Sequence, residues 1–332
     1  MKSGIELYKR NISFLFAGLL CLLFLGGILP KLLAADSSEL LSKMNVFKSM
    51  FISILLEALP FLLLGILVSS IMQVFIPEAW IQRLIPKQPV LGVLVASLLG
   101  FIFPVCECGL IPVVRRLMAK GMPVYAGITF ILAGPIVNLV VISATITAFR
   151  GRTDIVYSRV GLAILVSCIV GLLVYYMVKK DPRKQIEAAQ TSSHAGHSHR
   201  GSKIHQIMSH SIDEFFDMGK YLILGALITA LIQTYIPRAE LIAIGQGEYT
   251  SHLFMLGFAY ILSLCSTSDA FVASSFMSTF STGSLLTFLV FGPMVDFKGT
   301  LMLLSVFRAK FVLLLIGVVA GVVVAGAMLF TS

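Results

Sequence analysis

Charge is what this sequence has least of. Asp, Glu, Lys and Arg together make up 12% of the 332 residues, about half the share of a soluble domain, while 58% are hydrophobic. A chain of that balance cannot cover its surface with polar groups, so it is expected to be integral to a lipid bilayer. Polar sequence is nearly as scarce: the lone stretch rich in it runs from Lys179 to about His210, which leaves no soluble catalytic domain and argues against an enzyme. No Gly-x-x-x-x-Gly-Lys-Ser/Thr phosphate loop occurs. No cofactor is expected, and any transport is driven by a gradient or by a separate ATPase. The five cysteines, Cys21, Cys106, Cys108, Cys168 and Cys265, all lie in or beside apolar runs, which excludes a secreted disulfide framework and leaves thiol chemistry. A net charge of +9 would suit nucleic acid, but the basic residues sit at the ends of apolar runs, where the positive-inside rule puts them. No nucleic-acid partner is expected.

What the chain does have is apolar runs. They fall near 12–29, 49–75, 90–103, 123–148, 157–178, 221–236, 251–265, 284–297 and 311–330, each long enough to cross a bilayer or to make up much of a crossing. The expectation is an all-α polytopic membrane protein with about 8–10 membrane segments. The first run follows Lys2, Lys9 and Arg10 and precedes "LLAAD", which resembles a secretory signal. It is longer than the usual signal core of about 7–15 residues and reads as a retained helix.

The chain also repeats itself. "EALPFLLLGILVSSIMQVFIP" (57–77) and "DMGKYLILGALITALIQTYIP" (217–237) share seven identities in 21 ungapped positions, among them Gly65/Gly225, Gln73/Gln233 and Pro77/Pro237. "TFILAGPIVN" (129–138) matches "TFLVFGPMVD" (287–296), with Asn138 facing Asp296, and nearly the same offset sets Cys106 opposite Cys265. The expected organisation is an extra helix and connection over 1–46, a first repeat over 47–178, a polar linker over 179–212 and a second repeat over 213–332. Treating 89–120 and 250–280 as re-entrant puts 17 basic residues inside and seven outside, whereas full crossings give 11 and 13. The positive-inside rule favours the first, with the N-terminus and linker cytoplasmic. Three crossings per repeat then invert the second repeat, as in many transporters, with the site near the midplane between them.

"FPVCECG" (103–109) places two thiols and a carboxylate where a membrane helix is expected. Pro104 and Gly109 make a regular helix there improbable on local grounds. Extended geometry turns Cys106 and Cys108 to one point, and Cys265 adds a third sulfur across the repeat axis. Thiolates are soft ligands for soft cations and thiophilic molecules. Cys21 and Cys168, each alone in an apolar run, read as packing residues.

Ionisable groups at membrane depth are costly and mark function by default. Glu57, Glu107 and Asp269 are the candidates for proton coupling. Asp217, Asp296 and Lys298 also qualify, the last two as partners of each other or of another buried charge. The Gly134–Pro135 and Gly292–Pro293 pairs read as interruptions, and paired interruptions point to a transport site. That reading adds Asn138 and Asp296 to the substrate-binding set. A proline kink used only for packing is the alternative.

Five of six histidines lie within 191–210. His194, His197 and His199 could bind zinc, nickel or copper weakly, while the composition also fits a plain flexible linker.

The constellation "PVCECGLIPVVRRLMAKGMP", "TFILAGPIVN", "LCSTSDAFVASSF" and "FGPMVD" resembles the bacterial predicted-permease family that includes the ArsP organoarsenical exporters, over roughly 47–330. The resemblance implies an inner-membrane permease, with a site built on membrane cysteines and trivalent organoarsenicals as cargo in the better-studied members. Cys106 and Cys108 match that motif. Read together, these features suggest an exporter of a small thiophilic substrate, working alone, as a homo-oligomer or with an accessory protein. A permease for zinc or another transition metal, and a membrane thiol redox or assembly subunit, are the alternatives.

Overall fold

The structure is a computed structural model that describes residues 37–75, 86, 88–102, 106–178, 182–183, 203–235 and 247–329. The expected helix over 12–29, with Cys21, and the candidate metal ligands His194, His197 and His199 lie outside the described residues. Among the described residues there are twelve helices and no strand. The first six are α1 (Ser37–Phe75), α2 (Pro89–Ile102), α3 (Glu107–Ala119), α4 (Val124–Ala133), α5 (Leu139–Ala148) and α6 (Thr153–Met177). The second six are α7 (Lys203–Tyr235), α8 (Glu248–Leu262), α9 (Ser268–Ser274), α10 (Thr282–Met294), α11 (Phe297–Val306) and α12 (Ala309–Leu329). The chain is thus an all-α polytopic membrane protein.

Five stretches are long and apolar enough to cross a bilayer: Ser42–Met72, Thr153–Met177, Ser211–Thr234, Thr282–Val306 and Ala309–Leu329. The others are short. The 14 residues of α2 rise about 21 Å, less than the ~30 Å hydrocarbon core. Leu56, Leu63, Leu64 and Leu67 of α1 and Leu91, Leu94 and Leu98 of α2 are exposed, while Leu62 and Ile66 are buried. That outward apolar face suits lipid rather than water.

The two series of six run in the same order of element types. Helices at equivalent places pair: α1 packs along α7, α4 meets α10, and α6 packs along α12. The short helices cross between series, α3 against α11 and α9 against α5. Helix α7 begins at Lys203, inside the polar 179–212 segment. A helix needs only its backbone satisfied and one packed face, so it can extend past the apolar limit into the polar linker.

Both Gly-Pro segments are broken, though not alike. In the first, α4 ends at Ala133 and Asn138 caps the start of α5. In the second, α10 runs through Gly292 and Pro293 to Met294, and the break comes at extended Val295 (φ −148°, ψ 105°) and Asp296. A proline in the last turn forfeits one donor yet leaves little helix beyond it to distort, so the break falls later than the dipeptide suggests.

Candidate substrate site at the cysteine turns

Cys106 is the N-cap of α3, with extended backbone (φ −72°, ψ 173°), and Glu107 and Cys108 form the first turn. The extended Cys-Glu-Cys expected from Pro104 and Gly109 is therefore limited to Cys106. The helix starts one residue later because the N–H groups of Gly109 (3.1 Å) and Leu110 (3.0 Å) donate to the Cys106 carbonyl. Cys106 stands outside the helix and Cys108 in its first turn, so the regular-helix geometry that would hold the two thiols about 200° apart does not apply to the pair. Pro112, in the same helix, has no N–H to donate to the carbonyl of Cys108.

Cys265 occupies the equivalent backbone position after α8. Its carbonyl accepts from Ser268 N–H and Asp269 N–H, both at 3.0 Å. The Cys106 side chain interacts with those of both Cys108 and Cys265. All three cysteines are buried. Among the described residues no group of three or more His, Cys, Asp or Glu side chains is set out to hold a metal ion.

Charge surrounds the thiols. Lys298 Nζ is 3.3 Å from Glu107 Oε1 and 3.7 Å from Asp296 Oδ2, with all three side chains buried. It also donates to the Ser263 carbonyl at 3.5 Å. Glu107 Oε2 and Asp296 Oδ2 are buried without a hydrogen-bond partner. Ser263 is the lone non-glycine residue with positive φ (46°) among the described residues. Its hydroxyl accepts from Phe297 N–H (3.1 Å) and Lys298 N–H (3.4 Å), holding the end of α8 on the start of α11. A left-handed serine costs of order 1–3 kcal/mol and persists where the surroundings fix it, commonly at functional sites.

On the other side of Cys265, Asp269 makes a two-oxygen pair with Arg159 of α6, at 2.9 and 2.7 Å from Nη2. Arg159 is 1% exposed and also donates to Thr145 Oγ1 (2.8 Å) and the Ser266 carbonyl (3.2 Å). Glu57 of α1 accepts from Ser268 Oγ at 3.0 Å, which ties it to the same turn.

The remaining candidates have other local roles. Asn138 caps α5 by accepting from Val141 N–H (2.8 Å), and its amide donates to the Gly134 carbonyl at 3.4 Å, so both its polar ends are used within its own turn. Asp296 caps α11 in the same way through Gly299 N–H (2.6 Å) while its other oxygen faces Lys298. Asp217 pairs at the surface with Arg115 (3.1 Å) and Lys220 (2.7 Å). Sequence reasoning missed Arg159, whose signal was a lone arginine inside the 157–178 apolar run. It also missed Glu214, buried on α7 against Arg116 (3.3 Å) and Ser69 (3.2 Å), because Glu214 lies just before the apolar run over 221–236.

Comparison with known proteins gives a consistent picture. The model of a family described as "Predicted permease" matches residues 43–332. The chain is 48% identical over 284 residues to UPF0718 protein YcgR of Bacillus subtilis (strain 168), covering 85% of this chain and 95% of that protein. It is 38% identical over 271 residues to a "Putative two-component membrane permease complex subunit" of Streptococcus mutans serotype c (strain ATCC 700610 / UA159), covering 81% and 89%. No solved structure matches.

Proposed function

The chain belongs to the predicted-permease family, and we propose that it exports a small thiophilic molecule, a trivalent organoarsenical being the fitting class, through a site formed by Cys106, Cys108 and Cys265. The observation that carries this reading is the meeting of three buried thiols from two separate broken segments, beside a buried ammonium and two buried carboxylates. Two thiols condense with a monoorganyl arsenic dihydroxide, forming two S–As bonds and releasing two waters. Atoms and charge balance, so the site can load and unload without leaving a bare thiolate in the membrane. The third thiol offers an exchange partner when the cargo moves on.

In this proposal the two six-helix series are inverted repeats, the protein lies in the inner membrane with its N-terminus and polar linker cytoplasmic, and the proton gradient drives export. Glu107, Asp269 and Glu57 are the candidate proton carriers. The like placement of Cys106 and Cys265, of Asn138 and Asp296, and of the paired long helices supports the repeat. One relative is named as a complex subunit, which supports an accessory protein as a further part of the proposal.

The test is flux in everted membrane vesicles with methylarsenical, phenylarsenical, arsenite and Zn²⁺, comparing the native protein with Cys106→Ser/Cys108→Ser. Organoarsenical uptake that disappears in the double variant is expected. Zinc uptake instead overturns the cargo class, and equal arsenical uptake by both proteins overturns the site.

A further inference from the structure

The buried ion pairs at the cysteine turns are reciprocal. Glu107 follows Cys106 in the first series and is held by Lys298 of the second, at 3.3 Å with both side chains at most 6% exposed. Asp269, four residues after Cys265 in the second series, is held by Arg159 of the first, at 2.7 Å with both at most 3% exposed. Each series thus supplies the base that secures the other's cysteine turn. Neither base hydrogen-bonds a cysteine side chain, although the Lys298 ammonium is close enough to Cys108 and Cys106 to act on them electrostatically. Lys298 reaches the carbonyl of Ser263, two residues before Cys265, and Arg159 reaches the carbonyl of Ser266, the residue after it. Within the described residues Arg159 also engages Thr145 on α5, so the turn of α9 is pinned to α5 and α6 together.

We infer that Arg159 and Lys298 are positioning residues of the permease: each base latches the opposite series' cysteine turn, and the latches must part for the thiols to be reached from solvent. This inference rests on the thiols being the cargo site. The chemistry favours latches over permanent struts. A buried ion pair is weak evidence for stability, because its desolvation cost offsets much of its attraction, and apolar residues of like volume often serve as well. Charge at membrane depth persists where it is used. Both pairs join elements that a transporter must move against each other, and each lies within four residues of a cysteine. An ion pair that opens into water regains its hydration, so parting it toward an aqueous cavity costs far less than parting it inside hydrocarbon. The Arg159 Nε, buried without a partner, is consistent with an arginine held for its reach rather than for a fully satisfied bonding shell.

The experiment measures labelling of the site thiols by a membrane-impermeant maleimide, in the full chain with Cys21 and Cys168 replaced by serine, on right-side-out and everted vesicles, with mass spectrometry assigning the modified cysteine. In the native arrangement all three thiols label slowly. Arg159→Gln is expected to raise Cys265 labelling by at least about tenfold, and Lys298→Gln to raise Cys108 labelling similarly, each from one face of the membrane. Lys298→Arg, which keeps the charge, is expected to restore protection to within about threefold of native. The neutral pair Arg159→Gln/Asp269→Asn separates a latch from a strut, because it leaves no orphaned charge. A latch predicts that thermal stability returns toward native while Cys265 stays reactive. Labelling that returns to native along with stability, labelling that rises equally at all three thiols, or no rise in either single variant overturns the inference. Sided labelling with no arsenical flux would leave the latches standing and remove the cargo. Flux that depends on Cys106 and Cys108, with labelling insensitive to Arg159 and Lys298, does the reverse.

Discussion

Gly65 of the long helix α1 packs directly against Gly109 of the cysteine-bearing helix, and an added methyl there tests how finely the thiols are placed. A Cβ built on Gly65 stands 2.5 Å from the Cα of Gly109, about 1 Å inside ordinary carbon contact. Both atoms of that clash belong to helix, so neither can rotate away. The first turn of α3, carrying Cys108 next to Gly109, has to shift by about that 1 Å. Overpacking costs ~1–3 kcal/mol, and the better helix propensity of alanine returns ~1 kcal/mol, so Gly65→Ala should remain folded. Displacing reacting groups by 1 Å costs on the order of 100-fold in rate. The expected result is organoarsenical uptake into everted vesicles reduced about 100-fold at equal protein, with a thermal midpoint in detergent lowered by only a few degrees. Gly225→Ala is the equivalent change in the second series. There the Cβ meets Lys298 Cα at 3.2 Å, a few tenths of an ångström too close, so the loss should be about tenfold or less. Gly257 and Gly317 have nothing within 4 Å, and their alanine variants should transport normally and melt no lower than native. If Gly65→Ala transports as well as Gly317→Ala, the thiols are not positioned by the α1–α3 contact.

Asp296 is both a helix cap and a neighbour of Lys298, and two substitutions separate the roles. Asn caps as well as Asp, so Asp296→Asn should melt above Asp296→Ala by ~0.5–2 kcal/mol of stability, and equal melting would remove the capping role. At Ser263, glycine relieves the positive φ and alanine does not, while both delete the acceptor for Phe297 N–H and Lys298 N–H. Ser263→Gly should therefore melt above Ser263→Ala by about 1 kcal/mol, and the reverse order in a detergent melt would show that the backbone is not strained there. The triple change His194→Ala/His197→Ala/His199→Ala should leave organoarsenical flux within twofold of native, as a linker role requires; a larger fall makes those histidines part of transport.

Much of the fold was legible because bilayer physics leaves few options. An apolar run of membrane length has to be helical to satisfy its backbone, and that alone gives α1, α6, α7 and α12. The Gly-Pro dipeptides located both interruptions, but local sequence could not say that α10 would run on to Met294. That limit depends on where Asp296 finds Gly299 N–H, a contact set by the next helix. At the candidate site, Cys106 and Cys108 were marked by their own neighbours, whereas Cys265 was found by aligning the two halves of the sequence. Asp269 and Lys298 were visible as charges out of place, and Asp296 was named as a partner of Lys298, yet the pairings with Arg159 and Glu107 were not, since each spans more than 100 residues. Arg159 was overlooked because it lies near the start of its apolar run, where a basic residue normally snorkels to the interface. Its bonds to Asp269 of α9 and Thr145 of α5 hold it inside instead.

Helix electrostatics explain why the two ends of the Lys298–Glu107 pair are not equivalent. Glu107 is in the first turn of α3, where the partial positive charge of the helix N-terminus favours a carboxylate. Lys298 is in the first turn of α11, where the same effect disfavours an ammonium. Glu107 is therefore supported by its own helix, while Lys298 is held against its own helix by Glu107, by Asp296 and by the Ser263 carbonyl. A lysine placed for the stability of α11 would lie at the other end. Its charge answers to the cysteine turns instead, and Ser263, strained at the junction of α8 and α11, shows the same priority of the site over local preference. In a chain that keeps so little charge, Glu107, Asp296, Lys298, Arg159 and Asp269 are buried where its two series of helices meet beside the cysteine turns.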